Sequence, residues 1–260
     1  MPTDEQVVTW LQQIYKVHGQ AKGLMCETVL LSALRREEIA CWRYDTLPED
    51  PTQWQLGDPN APYDRQRVLV DIKFGTKGKF YGLDHGDKIG PSRSIWIPLH
   101  LAERIHEYRN KLRNLALRKW IKITPTLAEQ QRRIKEAVHL FRHEISGERI
   151  TSKNLYDAWT SVQLPYKGWS PHLGRDWWAC SVLWQELKRY KTLCDLGSNM
   201  PDTFLESTAM SIIRLQIQPQ LGHAYDSTTM IYLQWVMDMI GVGPEIRYDR
   251  ELDDAELVTK

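Results

Sequence analysis

Apolar positions recur at helical spacing from the start of the chain. Thr3 and Gln6 are placed as a capping box, and Val7, Leu11 and Ile14 follow at intervals of three and four, which predicts an opening helix. A second helix is predicted from about Ala21 to Leu34, a stretch rich in Leu, Met and Val with no turn residue after Gly23. A third begins near Arg36 and stops before Leu47-Pro48-Glu49-Asp50-Pro51. The Gly, Pro, Asp and Asn between Gln53 and Pro62 read as loop.

The period then changes. Val68-Leu69-Val70-Asp71-Ile72 and Ser94-Ile95-Trp96-Ile97-Pro98 are β-branched and apolar and read as strands, with a long Gly-, Lys- and Asp-rich segment between them. Leu101, Ile105, Tyr108, Leu112 and Leu115 mark one face of a helix, and a basic helix is predicted from about Leu127 to His143, broken at Gly147. Thr151 or Ser152 caps the next helix. Ser170-Pro171 opens a helix through Trp177, Trp178, Val182 and Leu183, whose tryptophans are read as mainly core. Gly197 to Pro201 is a break, and Thr203 to Leu215 is helical. Asp226-Ser227-Thr228-Thr229 starts a last helix carrying Tyr232, Trp235 and Met239, ended by Gly241-Val242-Gly243-Pro244. The expected class is mainly α with a small three-stranded antiparallel sheet. One domain is expected over residues 1–244, with an acidic tail at 245–260.

Composition narrows the picture in three ways. A chain of 260 residues can bury a substantial core. No apolar run is long enough to span a bilayer, and Met-Pro-Thr-Asp-Glu lacks the layout of a signal peptide, so an intracellular, cytoplasmic chain without membrane partners is expected. Cys26, Cys41, Cys180 and Cys194 show no Cys-x-x-Cys spacing and read as buried thiols. The net charge of +1 conceals a division: from His100 to Lys153 basic residues outnumber acidic ones by about two to one. That segment reads either as a phosphate-facing surface or as a solvated helix face.

Six residues suggest a common chemistry: Arg35, Lys77, His172, Arg175, His223 and Tyr232. A tyrosine phenol has a pKa near about 10 and needs a base or a cationic setting to act as a nucleophile. Two guanidiniums can hold the oxygens of a phosphodiester as its charge grows, and histidines can donate to the remaining oxygen or relay a proton. A lysine can protonate the departing alkoxide. Such a set suits metal-free, cofactor-free transesterification, with the bond energy kept in a phosphotyrosine.

The boxes around these residues resemble those of the tyrosine recombinases, the phage-integrase family. Leu31-Ser32-Ala33-Leu34-Arg35-Arg36-Glu37-Glu38-Ile39, followed by Arg43-Tyr44-Asp45, resembles the family's first box. Pro171-His172-Leu173-Gly174-Arg175 resembles His-x-x-Arg, and Leu221-Gly222-His223 leading to Tyr232 resembles the last box and its interval. Gly75-Thr76-Lys77-Gly78-Lys79 lies just after a strand, where the family carries its lysine in a β-hairpin, with Lys79 and Lys73 as alternatives to Lys77. Tyr225 is a nearby competitor of Tyr232, which the family interval favours.

The resemblance implies a recombinase catalytic-domain fold acting on double-stranded DNA as a homo-tetramer at two synapsed sites, or a monomer as an isolated domain. It implies integration or excision chemistry of the kind used by mobile elements. Arg35, His172, Arg175 and His223 would hold the phosphate, Lys77 would be the general acid, either histidine the base, and Glu38 would orient Arg35 or a neighbour. The segment after Tyr232 would dock on a neighbouring protomer or pack within its own. A type IB topoisomerase activity, a non-catalytic DNA-binding role and a helical interaction domain are the competing expectations. The chain departs from the family at Asp176, in a hairpin enlarged by Tyr81 to Ser92, and in having only 34 residues before Arg35, too few for a core-binding domain. The chain is expected to be a catalytic-domain fragment or a naturally short member, the fragment being favoured because the helix starting near Thr3 resembles the usual first helix of that domain.

Overall fold

Thr3 opens the first helix through both halves of its capping box: its hydroxyl accepts from Gln6 N and the Gln6 amide oxygen accepts from Thr3 N. The computed structural model describes residues 1–194, 202–223 and 230–240, and the chain divides into two units, Met1–Trp178 and Ala179–Lys260. In the first unit, α1 (Asp4–Ser32) joins the two helices expected at the N-terminus, with a kink at Gly19, φ 78°. The Glu144 carboxylate fills that kink by accepting from Ala21 N at 2.9 Å, and a Cβ on Gly19 would lie 2.8 Å from it. The helix ends on Ala33, held in the left-handed region at φ 54°, a conformation that costs a β-carbon-bearing residue about 1–2 kcal/mol. The short α2 (Arg36–Ala40) follows at once.

The sheet has three strands, β1 (Arg67–Phe74), β2 (Gly82–Asp84) and β3 (Asp87–Pro98), all antiparallel, in the order β1-β3-β2. Alternation places Val68, Val70 and Ile72 of β1 and Ile95 and Ile97 of β3 in the core. The hairpin enlargement expected from Tyr81 to Ser92 supplies the third strand of the sheet: β2 and the start of β3 form a tight hairpin around His85-Gly86, in register Gly82 with Ile89 and Asp84 with Asp87. Leu83 and Ile89 stand isolated among Gly and polar residues, which hides this strand from a hydrophobic-period reading.

The helix marked by Leu101 and Ile105 is real, but it is interrupted. A π-helical turn, Arg109–Arg113, separates α3 (Leu99–Tyr108) from α4 (Asn114–Lys122). The extra residue rotates the buried stripe, so Leu115 is exposed and Ala116 is buried. The basic helix α5 (Leu127–Glu136) ends seven residues before the expected His143. Leu140 and Phe141 are needed in the core, and the chain reaches it in extended form: Leu140 N donates to Trp42 O at 2.8 Å and Tyr44 N to Val138 O at 2.9 Å. Thr151, of the two candidate caps, closes α6 (Ser152–Thr160). Trp10, Trp159 and Trp169 form one aromatic cluster, the first two with ring centroids 4.3 Å apart. Trp178 is buried and Trp177 packs against the core. Cys26, Cys41 and Cys180 are buried free thiols.

In the second unit, α8 (Asp202–Ile212) passes through a π-helical turn, Ile213–Ile217, into α9 (Gln218–Leu221). The last helix, α10 (Met230–Ile240), follows. Ala209, Ile213, Ile217, Leu221, Leu233 and Val236 are buried. The predicted break at Gly197 to Pro201, the helix start at Asp226 to Thr229, Tyr225, the stop from Gly241 and the acidic tail lie outside the described residues. Among the described residues no helix is long and apolar enough to cross a membrane.

Candidate active site

Arg35 is positioned by the corner between α1 and α2. Its backbone is extended (φ −70°, ψ 149°), as a helix N-cap requires, and its N–H donates to Glu38 Oε2 at 2.8 Å. This is the return half of a capping box; a guanidinium has no acceptor with which to make the other half. The Arg35 side chain also reaches Glu38, Nη1 to Oε1 at 3.2 Å. Glu38 is only 1% exposed. Both of its oxygens receive a second arginine, Arg93 of β3, with Nη2 to Oε2 at 2.8 Å and a short contact from Nη1 to Oε1. Burial would raise the Glu38 carboxyl, but Arg93 and then Arg35 outweigh it and hold it below the usual carboxylate range. The expected pairing of Glu38 with Arg35 is present, and Arg93 is a partner that motif reading missed. The signal was there: Arg93, Ile95 and Ile97 share one face of a strand, and an arginine facing inward needs an acid.

Lys77 and Lys79 are exposed in the connection between β1 and β2, and Lys73 is exposed near the end of β1 itself. That connection runs close to α2. Gly75 has φ 69°, and a Cβ there would lie 2.7 Å from the carbonyl oxygen of Glu37. The lysine turn and the Arg35 helix therefore touch through backbone at a position open only to glycine.

His172 and Arg175 stand at the start of α7 (Pro171–Cys194). Pro171 suits a first helical position, and the Ser170 hydroxyl accepts from Leu173 N at 3.4 Å. His172 is exposed, whereas Arg175 is 4% exposed. Gly174 between them packs tightly: a Cβ there would meet the Trp159 ring at 2.6 Å and Leu30 at 3.4 Å. This first turn is thereby fixed against α6 and α1. α6 is in turn tied to α2 by the Ser152 hydroxyl, which donates to the Glu37 carboxylate, and by Arg36, 5.5 Å above the Tyr156 ring. Arg35, Lys77, His172 and Arg175 thus occupy linked elements of the first unit.

His223 and Tyr232 belong to the second unit. Gly222 ends α9 at φ 63°, and His223 N donates back to Gln218 O at 3.2 Å. This is a left-handed glycine cap, and it explains Leu-Gly-His: Leu221 anchors the helix, Gly222 turns the chain, and the histidine comes next. The His223 and Tyr232 rings are nearly parallel, with an interplanar angle of 18° and centroids 6.3 Å apart. Tyr232 is 3% exposed, with Trp235 edge-on at 6.4 Å.

The basic segment from His100 to Lys153 is partly internal. Arg109 donates to the carbonyls of Tyr44 and Leu47 at 3.1 and 2.6 Å, Arg113 to that of His139 at 3.0 Å, and Arg142 to that of Gly147 at 2.8 Å. These three arginines cross-link loops, so the surface of the segment is less basic than its composition suggests. Asp176, the departure beside Arg175, is 9% exposed, and it joins burial in raising the Tyr166 phenol. Among the described residues no group of three or more His, Cys, Asp or Glu is arranged to hold a metal ion.

No family model matches the sequence, and no curated protein matches it either.

Proposed function

We propose that this chain cuts and rejoins double-stranded DNA through a covalent tyrosine intermediate, as a site-specific recombinase of the phage-integrase type. The Tyr232 oxygen attacks a backbone phosphorus, a 3′-phosphotyrosine bond forms, and the bond to the 5′-oxygen breaks. Lys77 gives that oxygen its proton, and a histidine, His172 or His223, takes the proton of the phenol. Arg35 and Arg175 neutralise the charge that grows on the non-bridging oxygens, a stabilisation concentrated in the transition state. Attack by a free 5′-hydroxyl on the phosphotyrosine reverses the sequence without a nucleotide cofactor. Strand exchange between two duplexes would engage four protomers, and integration or excision of a mobile element is the natural use.

The observation that carries this reading is the mounting of Arg35. It heads a short helix, its guanidinium meets a buried carboxylate shared with a second arginine, and the lysine-bearing turn abuts the same helix. A surface arginine needs none of this. The His223 and Tyr232 rings lie in the same unit with centroids 6.3 Å apart, a nearness that supports placing a histidine beside the nucleophile. The phenol's low exposure means that catalysis requires it to leave its packed position.

The test uses a pool of nicked duplexes of random sequence, in which cleavage releases a short strand and traps the adduct. Wild-type protein is expected to form a complex that survives denaturant, with a nucleotide found on Tyr232 by mass spectrometry. Tyr232→Phe should form none. An adduct of undiminished yield in that variant removes the nucleophile assignment. Binding of the pool with no adduct from the wild type assigns the chain to the non-catalytic reading, and relaxation of supercoiled plasmid without strand exchange to the topoisomerase reading.

A further inference from the structure

The hairpin that extends the sheet presents an unusual surface. Phe80, Tyr81 and Leu83 are 61%, 58% and 66% exposed, the first two adjacent in sequence, and all lie outside the core. Lys73, Lys77 and Lys79 precede them, all exposed and none paired with a carboxylate among the described residues. The nearby acids are engaged elsewhere. Asp87, 3% exposed, accepts from Arg43, His139 and Arg149 at 2.8, 2.7 and 2.6 Å, and Asp84 pairs with Arg43 and His85. Two features follow. The turn end of the hairpin, where Asp84 and Asp87 face each other, is fixed to the body of the unit by charge-assisted hydrogen bonds. The strip on its outer side has net positive charge and two bare aromatic rings. Tyr81 is further held by its N–H, which donates to Ile89 O at 2.9 Å, and Lys79 Nζ lies 5.7 Å from the Tyr81 ring.

Exposed adjacent aromatics are costly in a soluble surface unless a partner covers them. The charge beside them selects the partner. Lysines without acids, interleaved with aromatic faces, match a polyanion that offers flat rings, which is nucleic acid. We propose that the strip from Lys73 to Leu83 is a DNA-docking element: Lys73 and Lys79 pair with phosphates while Phe80 and Tyr81 stack on bases at a partly unstacked step of the duplex. This rests on the DNA reading above and adds to it a contact that the six reacting residues do not make. The anchored hairpin holds the rings in place beforehand, so little ordering entropy opposes the insertion. It also gives Lys77 a reason to sit where it does, since a duplex gripped by the strip passes next to the lysine turn.

The test is binding of the full chain to a pool of 30-base-pair duplexes by fluorescence anisotropy, over a series of salt concentrations. The variants are Phe80→Ala with Tyr81→Ala, Phe80→Tyr with Tyr81→Phe, and Lys79→Gln. All of these side chains are exposed, and thermal melting checks that each variant folds. Loss of both rings is expected to weaken binding by at least about tenfold with no change in the slope of log K against log salt. The ring-preserving pair should bind as wild type. Lys79→Gln should lower the slope by about 1. Wild-type affinity in the double-alanine variant, or no binding by the wild type, overturns the proposal. So does loss of self-association in that variant with DNA binding intact, which would assign the strip to a second copy of the chain. A Tyr232-linked adduct with unaffected binding in the alanine variant removes this proposal alone, whereas ring-dependent binding without any adduct retains it and removes the recombinase.

Discussion

The Arg35 guanidinium lies 3.2 Å from Oε1 of Glu38, a carboxylate with 1% of its surface exposed. Because Glu38 also accepts the Arg35 backbone N–H and both terminal nitrogens of Arg93, one buried anion sets the position of two cations from different elements. Breaking such a group by removing its only anion leaves the arginines uncompensated, at a cost of about 3–5 kcal/mol. Glu38→Gln is therefore expected to lower unfolding free energy by an amount of that order in urea titrations at pH 7. The lowered Glu38 pKa fixes the sign of the pH dependence: its contribution is full above the unfolded value of about 4.3 and is lost as pH falls through the lower folded value. The difference between wild type and variant should shrink correspondingly in acid. An unchanged difference at low pH counts against the ion-pair account.

Gly75→Ala separates the placement of the lysine turn from its chemistry. The position has φ 69°, and the new Cβ would come within 2.7 Å of the Glu37 carbonyl, 3.1 Å from Cys41 Sγ. A left-handed alanine alone costs about 1–2 kcal/mol, and the clash forces the turn away from α2. Thermal melts should show a modest loss of stability. Adduct formation should fall by about tenfold or more although Lys77 itself is intact. A melt shifted as expected, with cleavage unaffected, would show that the turn's seat on α2 does not matter to the reaction.

Arg175→Ala is expected to slow cleavage by about 10²–10³ while duplex affinity changes by less than tenfold, because its charge acts on the transition state more than on bound DNA. Single-turnover cleavage and equilibrium binding measured on one preparation make the comparison. Parallel losses in both would mean that Arg175 grips DNA without acting on the phosphate. Arg175→Lys tests the geometry: a lysine keeps the charge and loses the paired donors, so only partial recovery is expected.

What the sequence disclosed, and what it withheld, follows from the range of the interactions involved. Thr3, Gln6, Thr151 and Pro171 act on residues within a few positions, and the elements they begin were readable from local chemistry, whereas the helix expected to end at Leu215 runs on through a π-turn to Leu221 and its Gly222 cap. The strands around Val70 and Ile95 were readable because one buried face imposes alternation. The early end of α5 was not, because it is decided by Leu140 pairing with Trp42, nearly a hundred residues away in sequence. The π-turn at Arg109–Arg113 preserves the helical period on each side and shows only as a rotated stripe. Motif order located Arg35 and Glu38. It could not supply Arg93, whose role exists only once β3 lies beside α2.

Below neutrality the Asp87 cluster should govern stability. His139 donates from Nε2 to Asp87 at 2.7 Å, with Arg43 and Arg149 bound to the same carboxylate. The hydrogen bond to Asp87 favours the imidazolium, but burial disfavours it more strongly and the two arginines add to that, so the His139 pKa is lowered. Asp87 is lowered as well: burial opposes its charge, and His139, Arg149 and Arg43 together outweigh the burial. The two shifts act in sequence on acidification. An unfolded histidine takes up a proton near pH about 6.5 while the folded one resists, so stability falls from there down to the folded value. Asp87 then loses its contribution below the usual carboxylate range, as pH passes its own lowered value. His139→Gln keeps a hydrogen-bond donor and removes the first titration. Between pH 7 and 5.5 the variant's stability should decline less steeply than the wild type's, the remaining decline coming from His18 and His106, which burial also lowers, and both should fall together at lower pH. Urea midpoints taken across that interval decide it; the same decline in both proteins would place the titrating group elsewhere.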